Sequence, residues 1–206
     1  DPPTTVSEPE RAHEVHVADS LSGLEVPSLA GARRIADVGA GAGFPGLVLA
    51  VALPRARVDL IESVGRKAAV IDRLIQAARI DNARSVVARA EEWARLAPAL
   101  GGGREAYDAV TARAVAALPV LVEYAAPLLH SSGVLVAWKG AVGADELRLG
   151  KGAAAEVGMS LDDVLRVSPF AGARDRHLYV FRKVSATPER FPRRPGMAVK
   201  RPLGGG

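Results

Sequence analysis

One segment constrains the fold of this chain more than any other: Arg34-Ile35-Ala36-Asp37-Val38-Gly39-Ala40-Gly41-Ala42-Gly43-Phe44-Pro45-Gly46, an apolar run that ends in an acid and then meets four glycines within eight residues. A strand that stops at closely spaced glycines and restarts as a helix lets backbone N–H groups and the positive helix end approach a nucleotide-like ligand. The segment therefore predicts a strand–turn–helix unit with a cofactor cradle at the turn.

The same alternation continues downstream. Residues 45–52 read as a short buried helix with Pro45 near its first turn, where a missing N–H costs little. Residues 57–62 read as a strand, and residues 65–79 as an amphipathic helix whose apolar stripe is Ile71, Leu74, Ile75 and Ala78. Further strands are expected at 85–88, 107–111 and 133–138, with a short helix at 91–96 and another striped by Leu118, Leu121, Val122 and Ala125. Residues 177–182 alternate in polarity and can follow 161–167 directly, which predicts one antiparallel strand near an edge. Repeated βα units with near-continuous apolar strands imply an α/β fold of Rossmann-like type, a mostly parallel seven-stranded sheet with helices on both faces.

At 206 residues and 49% hydrophobic, the chain suits one core with extensions. We divide it into an N-terminal helical segment (1–30), a core domain (31–184) and a Pro-rich tail (185–206). The chain starts with Asp and reads as trimmed. It has no cysteine, which removes disulfides, thiolate nucleophiles and cysteine-based zinc sites. No run approaches the roughly 20 apolar residues that cross a bilayer, and the N-terminus lacks the plan of a signal peptide. A cytoplasmic monomer without a membrane contact or a metal is expected. His13 and His16, three apart, lack an evident third ligand for a metal; His130 and His177 read as helix-end and strand residues.

The charge is uneven. Arg190, Arg193, Arg194, Lys200 and Arg201 against Glu189 account for the entire net charge of +4. With Pro188, Pro192, Pro195 and Pro202 among them, this segment should be extended rather than helical, and a basic extended arm suits a polyanion. A solvated terminus is the plainer alternative.

In doubly wound sheets ligands sit beyond the carboxyl ends of the strands, where strand order reverses. Asp37, Glu62, Glu91 and Arg113 fall at successive strand ends and form one candidate site. Gly41-x-Gly43-x-x-Gly46 with Glu62 also satisfies the dinucleotide fingerprint. Two features favour S-adenosylmethionine instead. Asp37 would sit poorly beside a pyrophosphate but well near an amino group and a sulfonium, and Ala90-Glu91 is placed to address an adenine edge. Each residue also has a structural reading: Asp37 as a loop cap, Glu62 as a strand-end acid, Glu91 as a first-turn helix acid, Arg113 as an ion-pair partner.

Taken with Glu62-Ser63-x-Gly65-Arg66-Lys67, Arg89-Ala90-Glu91-Glu92, Thr111-Ala112-Arg113-Ala114, Trp138-Lys139-Gly140 and Phe191-Pro192-Arg193-Arg194-Pro195-Gly196, the glycine turn resembles the bacterial small-subunit (16S) ribosomal RNA guanine-N7 methyltransferase family, also called glucose-inhibited division protein B. The resemblance runs from about His16 to the end, and His16, Asp19 and Ser20 fit its His-x-x-Asp-Ser segment. Val15 stands where an arginine is common, and most of the family's N-terminal helical extension is missing before Asp1.

The resemblance implies a class I methyltransferase fold, S-adenosylmethionine as donor, and one guanine of small-subunit RNA, naked or in a 30S particle, as acceptor. Asp37, Gly39, Gly41, Gly43, Phe44, Ala90, Glu91 and Arg113 would then line the cofactor, with Glu62 on its ribose. His16, Arg193, Arg194, Lys200 and Arg201 would meet RNA. Guanine N7 carries a lone pair and no proton, so no general base is required; Arg113 and Lys139 are the expected cations that position the base. A solvated strand-end lysine is the alternative for Lys139. The competing functions are a nicotinamide-dependent oxidoreductase, disfavoured by Asp37 and by the lack of a Tyr-x-x-x-Lys constellation, a small-molecule methyltransferase, and a non-catalytic RNA-binding assembly factor on the same fold.

Overall fold

The computed structural model describes residues 13–205; the stretch 1–12, Gly206 and the His13 side chain that a His13–His16 pair would need lie outside the described residues. Short helical turns, His13–Ala18, Asp19–Leu21, Ser22–Glu25 and Pro27–Ala30, lead into the sheet. Its strands are β1 (Arg34–Val38), β2 (Arg57–Glu62), β3 (Ala83–Val87), β4 (Tyr107–Arg113), β5 (Leu129–Lys139), β6 (Met159–Val167) and β7 (Arg176–Lys183). They are ordered β3-β2-β1-β4-β5-β7-β6. β1 to β5 pair in parallel, whereas β7 runs antiparallel to both β5 and β6. This is the mostly parallel seven-stranded sheet expected, with the antiparallel strand one place in from the edge.

The helices are α1 (Gly46–Ala52), α2 (Gly65–Ala78), α3 (Ala90–Trp93), α4 (Leu118–Ala125), α5 (Ala144–Glu156) and α6 (Met197–Lys200). Strand residues of alternating parity feed two cores, because successive side chains leave a strand on opposite faces. Ala36, Val38, Val110, Leu135 and Phe181 pack with α4 and α5. Ile35, Leu60, Ala109, Val134 and Val180 pack with α1, Ile71 of α2 and Leu29. Burial on both faces explains why these strands read as continuous apolar runs.

Several details differ from expectation. Leu74 is exposed, so the stripe of α2 is narrower than predicted and rests on Ala68 and Ile71. His130 lies in β5, which begins at Leu129, and not at a helix end. Helix α5 was not expected. It packs through Gly150, Ala153 and Ala154, and a Cβ on Gly150 would stand 2.9 Å from Leu118 Cβ. The tail is not an extended free arm: it forms α6 and folds back on the domain, with Phe191 buried.

The order reverses between β1 and β4, the point at which a doubly wound sheet leaves a crevice at the carboxyl ends of its strands. Asp37, Glu62, Arg113 and Lys139 end, or nearly end, β1, β2, β4 and β5.

Candidate active site

The turn after β1 needs its glycines for two reasons. Gly39, Gly41 and Gly43 have φ of +67°, +56° and +94°, a region that L side chains rarely adopt. Space is limiting as well at Gly46, where a Cβ would come 2.7 Å from Asp37 Oδ2. At Gly41, by contrast, a Cβ would approach only Gly39 O, at 3.7 Å, so the loop is open there.

Two carboxylates hold this loop from below. Asp37, 1% exposed, accepts from Gly46 N–H on Oδ2 at 3.0 Å and from the Thr111 hydroxyl on Oδ1 at 2.8 Å. Burial pushes its carboxyl up to about 6, against the pull of those two hydrogen bonds. Glu62 accepts from Gly41 N–H at 3.0 Å and from Val64 N–H at 2.8 Å. Each carboxylate oxygen has two acceptor positions, so Glu62 keeps capacity for hydroxyl donors of a ligand. Two carboxylates therefore support the turn from beneath, with the Arg113 guanidinium beside it at Phe44. This donor set fits a cationic, ribose-bearing ligand such as S-adenosylmethionine and suits a pyrophosphate poorly.

Arg113 closes the crevice from the β4 side. Its guanidinium donates to Asp19 Oδ2 at 2.9 Å and to Val15 O at 3.3 Å, and meets His16 Nδ1 at 3.1 Å. It also lies over the Phe44 ring, 5.6 Å from the centroid, while His16 stacks on the same ring at 4.9 Å. Burial, with the Arg113 charge, holds the His16 imidazole below its ordinary value, so at neutral pH its Nδ1 is free of a proton to accept from Arg113.

On the other side of Arg113 a cavity of about 400 Å³ opens. Asp19, Trp138, Lys139, Arg176 and His177 contribute to its walls. Lys139 is held in place: its ammonium donates to Ala116 O at 3.1 Å and pairs with Glu146 at 2.8 Å. Trp138 is buried, its indole N–H donating to Asp19 O at 2.8 Å.

A family profile described as rRNA small subunit methyltransferase G matches residues 4–179. A ribosomal RNA small subunit methyltransferase G of Rubrobacter xylanophilus is 48% identical over 202 residues, 97% of this chain and 76% of the relative. One of Bacillus subtilis is 34% identical over 202 residues, 98% and 83% of the two chains. The chain belongs to the rRNA small subunit methyltransferase G family. Its fold is also that of more distant solved structures. An S-adenosylmethionine-dependent O-methyltransferase of Thermotoga maritima superposes with a TM-score of 0.62 at 15% identity, covering 90% of this chain and 69% of that one. A predicted O-methyltransferase of Agrobacterium tumefaciens gives 0.61 at 23% identity, covering 82% and 81%.

Within this methyltransferase G framework the sequence-selected residues have different settings. Gly39, Gly41, Gly43 and Phe44 form the turn after β1, Glu62 holds it through Gly41 N–H, and Arg113 lies over the Phe44 ring. Asp37 lies beneath the loop, one oxygen bonded to Gly46 N–H and the other to the Thr111 hydroxyl of β4. Ala90 and Glu91 open α3 after β3, and Glu91 Oε1 accepts from Gly196 N–H of the tail at 2.8 Å. His16 faces Phe44 and Arg113 and is half-buried.

The tail cations divide. Arg193 turns inward and grips Glu123, which is 1% exposed, with Nε to Oε1 at 2.7 Å and a second bond from its terminal nitrogen to Oε2. Arg194, Lys200 and Arg201 remain exposed. Sequence reasoning missed Thr111, Glu123 and Arg176. Thr111 had a signal, a hydroxyl interrupting the apolar stretch Ala109–Ala112 of β4. Glu123, on the apolar face of α4, had a weaker one. Among the described residues there is no cluster of three or more metal-ligating side chains and no helix long and apolar enough to cross a membrane.

Proposed function

We propose that this chain transfers the methyl group of S-adenosylmethionine to N7 of a guanine in small-subunit ribosomal RNA. The observation that carries this reading is that Arg113 both lies over Phe44 of the glycine turn and lines the adjoining cavity, so one side chain would adjoin both reactants. Gly39, Gly41, Gly43 and Phe44 would surround the cofactor, Glu62 would take its ribose hydroxyls, and Ala90 and Glu91 its adenine side. When bound, S-adenosylmethionine supplies an electrophilic methyl.

N7 needs no deprotonation, so the protein's work is to orient and desolvate. Holding two reactants about 3–3.5 Å apart and aligned can supply ~7–11 kcal/mol of the barrier. Arg113 and Lys139 are positioning cations in this reading. Both are pinned by protein partners, so they can orient the base, through an acceptor such as O6, without first being ordered. Arg194, Lys200 and Arg201 would contact phosphates, with Arg193 serving to dock the tail that carries them.

The test is to incubate unmodified 30S subunits with the protein and labelled cofactor, then map the modified base by primer extension after borohydride reduction and aniline cleavage. A single cleavage at one guanine is expected. Label on adenine or cytosine, or no transfer to RNA, refutes the reading.

A further inference from the structure

Among the described residues, the buried side-chain polar atoms without a hydrogen-bond partner are Asp19 Oδ1, Arg176 Nε and His177 Nδ1. All three residues line the cavity beside Arg113. Native proteins leave few buried polar atoms unsatisfied, and an orphan demands a reason. Three in one cavity, at the sheet's ligand-binding end, have a common reason: a ligand completes them.

The chemistry of the orphans specifies that ligand. Asp19 is 5% exposed, and its other oxygen is occupied by Arg113. Its free Oδ1 is an acceptor, and Arg176 Nε is a donor. The two form an ion pair at 4.0 Å, a separation that leaves neither atom hydrogen-bonded to the other. An acceptor and a donor at that spacing match a ligand edge that presents a donor beside an acceptor.

Guanine has such an edge, with N1–H and the 2-amino group next to O6. We propose that Asp19 Oδ1 and Arg176 Nε read the Watson–Crick edge of the substrate guanine, the carboxylate accepting from N1–H and the 2-amino group and the guanidinium donating to O6. This inference rests on the functional reading above. In the same orientation adenine would turn a bare N1 toward the carboxylate and its amino group toward the guanidinium, so both contacts become unfavourable. Sites that hydrogen-bond a polar edge discriminate strongly, since the wrong partner leaves buried groups unpaired.

The pair also bears on rate. Methylation at N7 places positive charge on the purine and makes N1–H a stronger donor. A carboxylate already aimed at that proton binds the transition state more tightly than the ground state. Asp19 thus joins the two halves of the site: one oxygen fixes Arg113, the other is left for the base.

The test couples protein and substrate changes in single-turnover methylation of reconstituted 30S particles. Inosine at the target keeps N7, N1–H and O6 but lacks the 2-amino group; wild-type protein should lose roughly 10-fold or more, the scale of a hydrogen bond to a charged group. Asp19→Asn should lose at least as much on guanine but clearly less on inosine, where only the N1–H contact is left to weaken, so the two losses should not multiply. A second pair, Arg176→Gln with 6-thioguanine, whose sulfur is a poor acceptor, should show the same lack of additivity and does not depend on Asp19→Asn folding. Losses that multiply in both pairs, or wild-type protein indifferent to inosine and 6-thioguanine, would overturn the proposal while leaving N7 methylation intact. Failure of wild-type protein to methylate the guanine particle would instead remove the functional reading beneath it.

Discussion

The two ends of the sheet both carry buried or half-buried acids, but the ends finish their hydrogen bonding differently. At the amino end, Asp59 accepts from Arg84 Nε at 2.6 Å and from the Tyr107 hydroxyl at 2.6 Å, and Trp93 donates to that hydroxyl at 2.8 Å. Asp108 accepts from the N–H groups of Arg33 and Arg34 at 2.6 and 2.8 Å and meets His130 at 2.6 Å. A cavity of about 880 Å³ opens there too, lined by Arg33, Arg34, Arg55, Arg57 and Arg84, yet no buried side-chain atom at that end lacks a partner among the described residues. At the carboxyl end the orphans gather in a cavity less than half that size. Volume does not mark the site; unfinished hydrogen bonding does.

If the amino end and the docked tail are structural and the carboxyl end is functional, substitutions should separate stability from binding. The largest effect is expected at the tail. Arg193→Ala strands Glu123 buried without its partner, at a cost of about 3–5 kcal/mol, read as a fall in the denaturation midpoint. Arg194→Ala should leave stability unchanged and lower the salt slope of RNA binding by about one. Equal effects of the two would erase the distinction between docking and contacting cations. Glu62→Ala should come next, with at least ~100-fold weaker S-adenosylmethionine binding in calorimetry, because two backbone N–H groups of the loop lose their acceptor. Asp59→Ala should destabilise by ~1–3 kcal/mol, since the Tyr107 hydroxyl loses its acceptor, with cofactor affinity unaltered. A loss of affinity in Asp59→Ala would break the comparison.

The division between the ends also explains what could be read without coordinates. Strands such as Ile35–Val38 and Val134–Trp138 are legible because burial on both faces writes an apolar run, and the glycine turn is legible because positive φ leaves few other residues. Helix α5 is not: it packs through Gly150, Ala153 and Ala154, and small residues that permit close approach carry no hydrophobic period. In the site, Asp37, Glu62 and Arg113 stand out as charges ending apolar strands. Arg176 does not, since a charge at the start of an edge-paired strand is ordinary. The tail misled through composition: its prolines and arginines indicate an extended solvated arm, but Phe191 and the Glu123 partner of Arg193 lie far apart in sequence from any signal that would dock it.

The smallest effects are pH profiles, and the two ends should differ in the observable that carries them. His130 is raised above 6.5 by its hydrogen bond to Asp108. Asp108 is pushed up by burial but drawn net below 3.8 by His130 and the two backbone N–H groups. A raised histidine contributes stability that is complete below pH 6.5 and fades as pH rises through its folded value; the lowered aspartate contributes above 3.8 and fades below. Stability from this pair is therefore greatest between those limits, and His130→Gln should flatten the alkaline decline in thermal melts without touching cofactor binding. Asp37 behaves in the opposite sense to Asp108. With its folded value raised from 3.8 to about 6, it lowers stability as pH rises through that interval, and at neutral pH the folded protein carries a buried charge that burial opposes. The compensation is functional: that charge lies beneath a loop proposed to hold a cationic ligand, where its attraction is weakly screened. Cofactor affinity should thus fall as pH drops through about 6, by up to about tenfold per unit below it, while Asp37→Asn binds weakly at pH 7.5 and shows no such slope. An Asp37→Asn protein that binds as tightly as wild type at pH 7.5 would reduce Asp37 to a loop anchor and move the carboxyl end toward the purely structural character of the amino end.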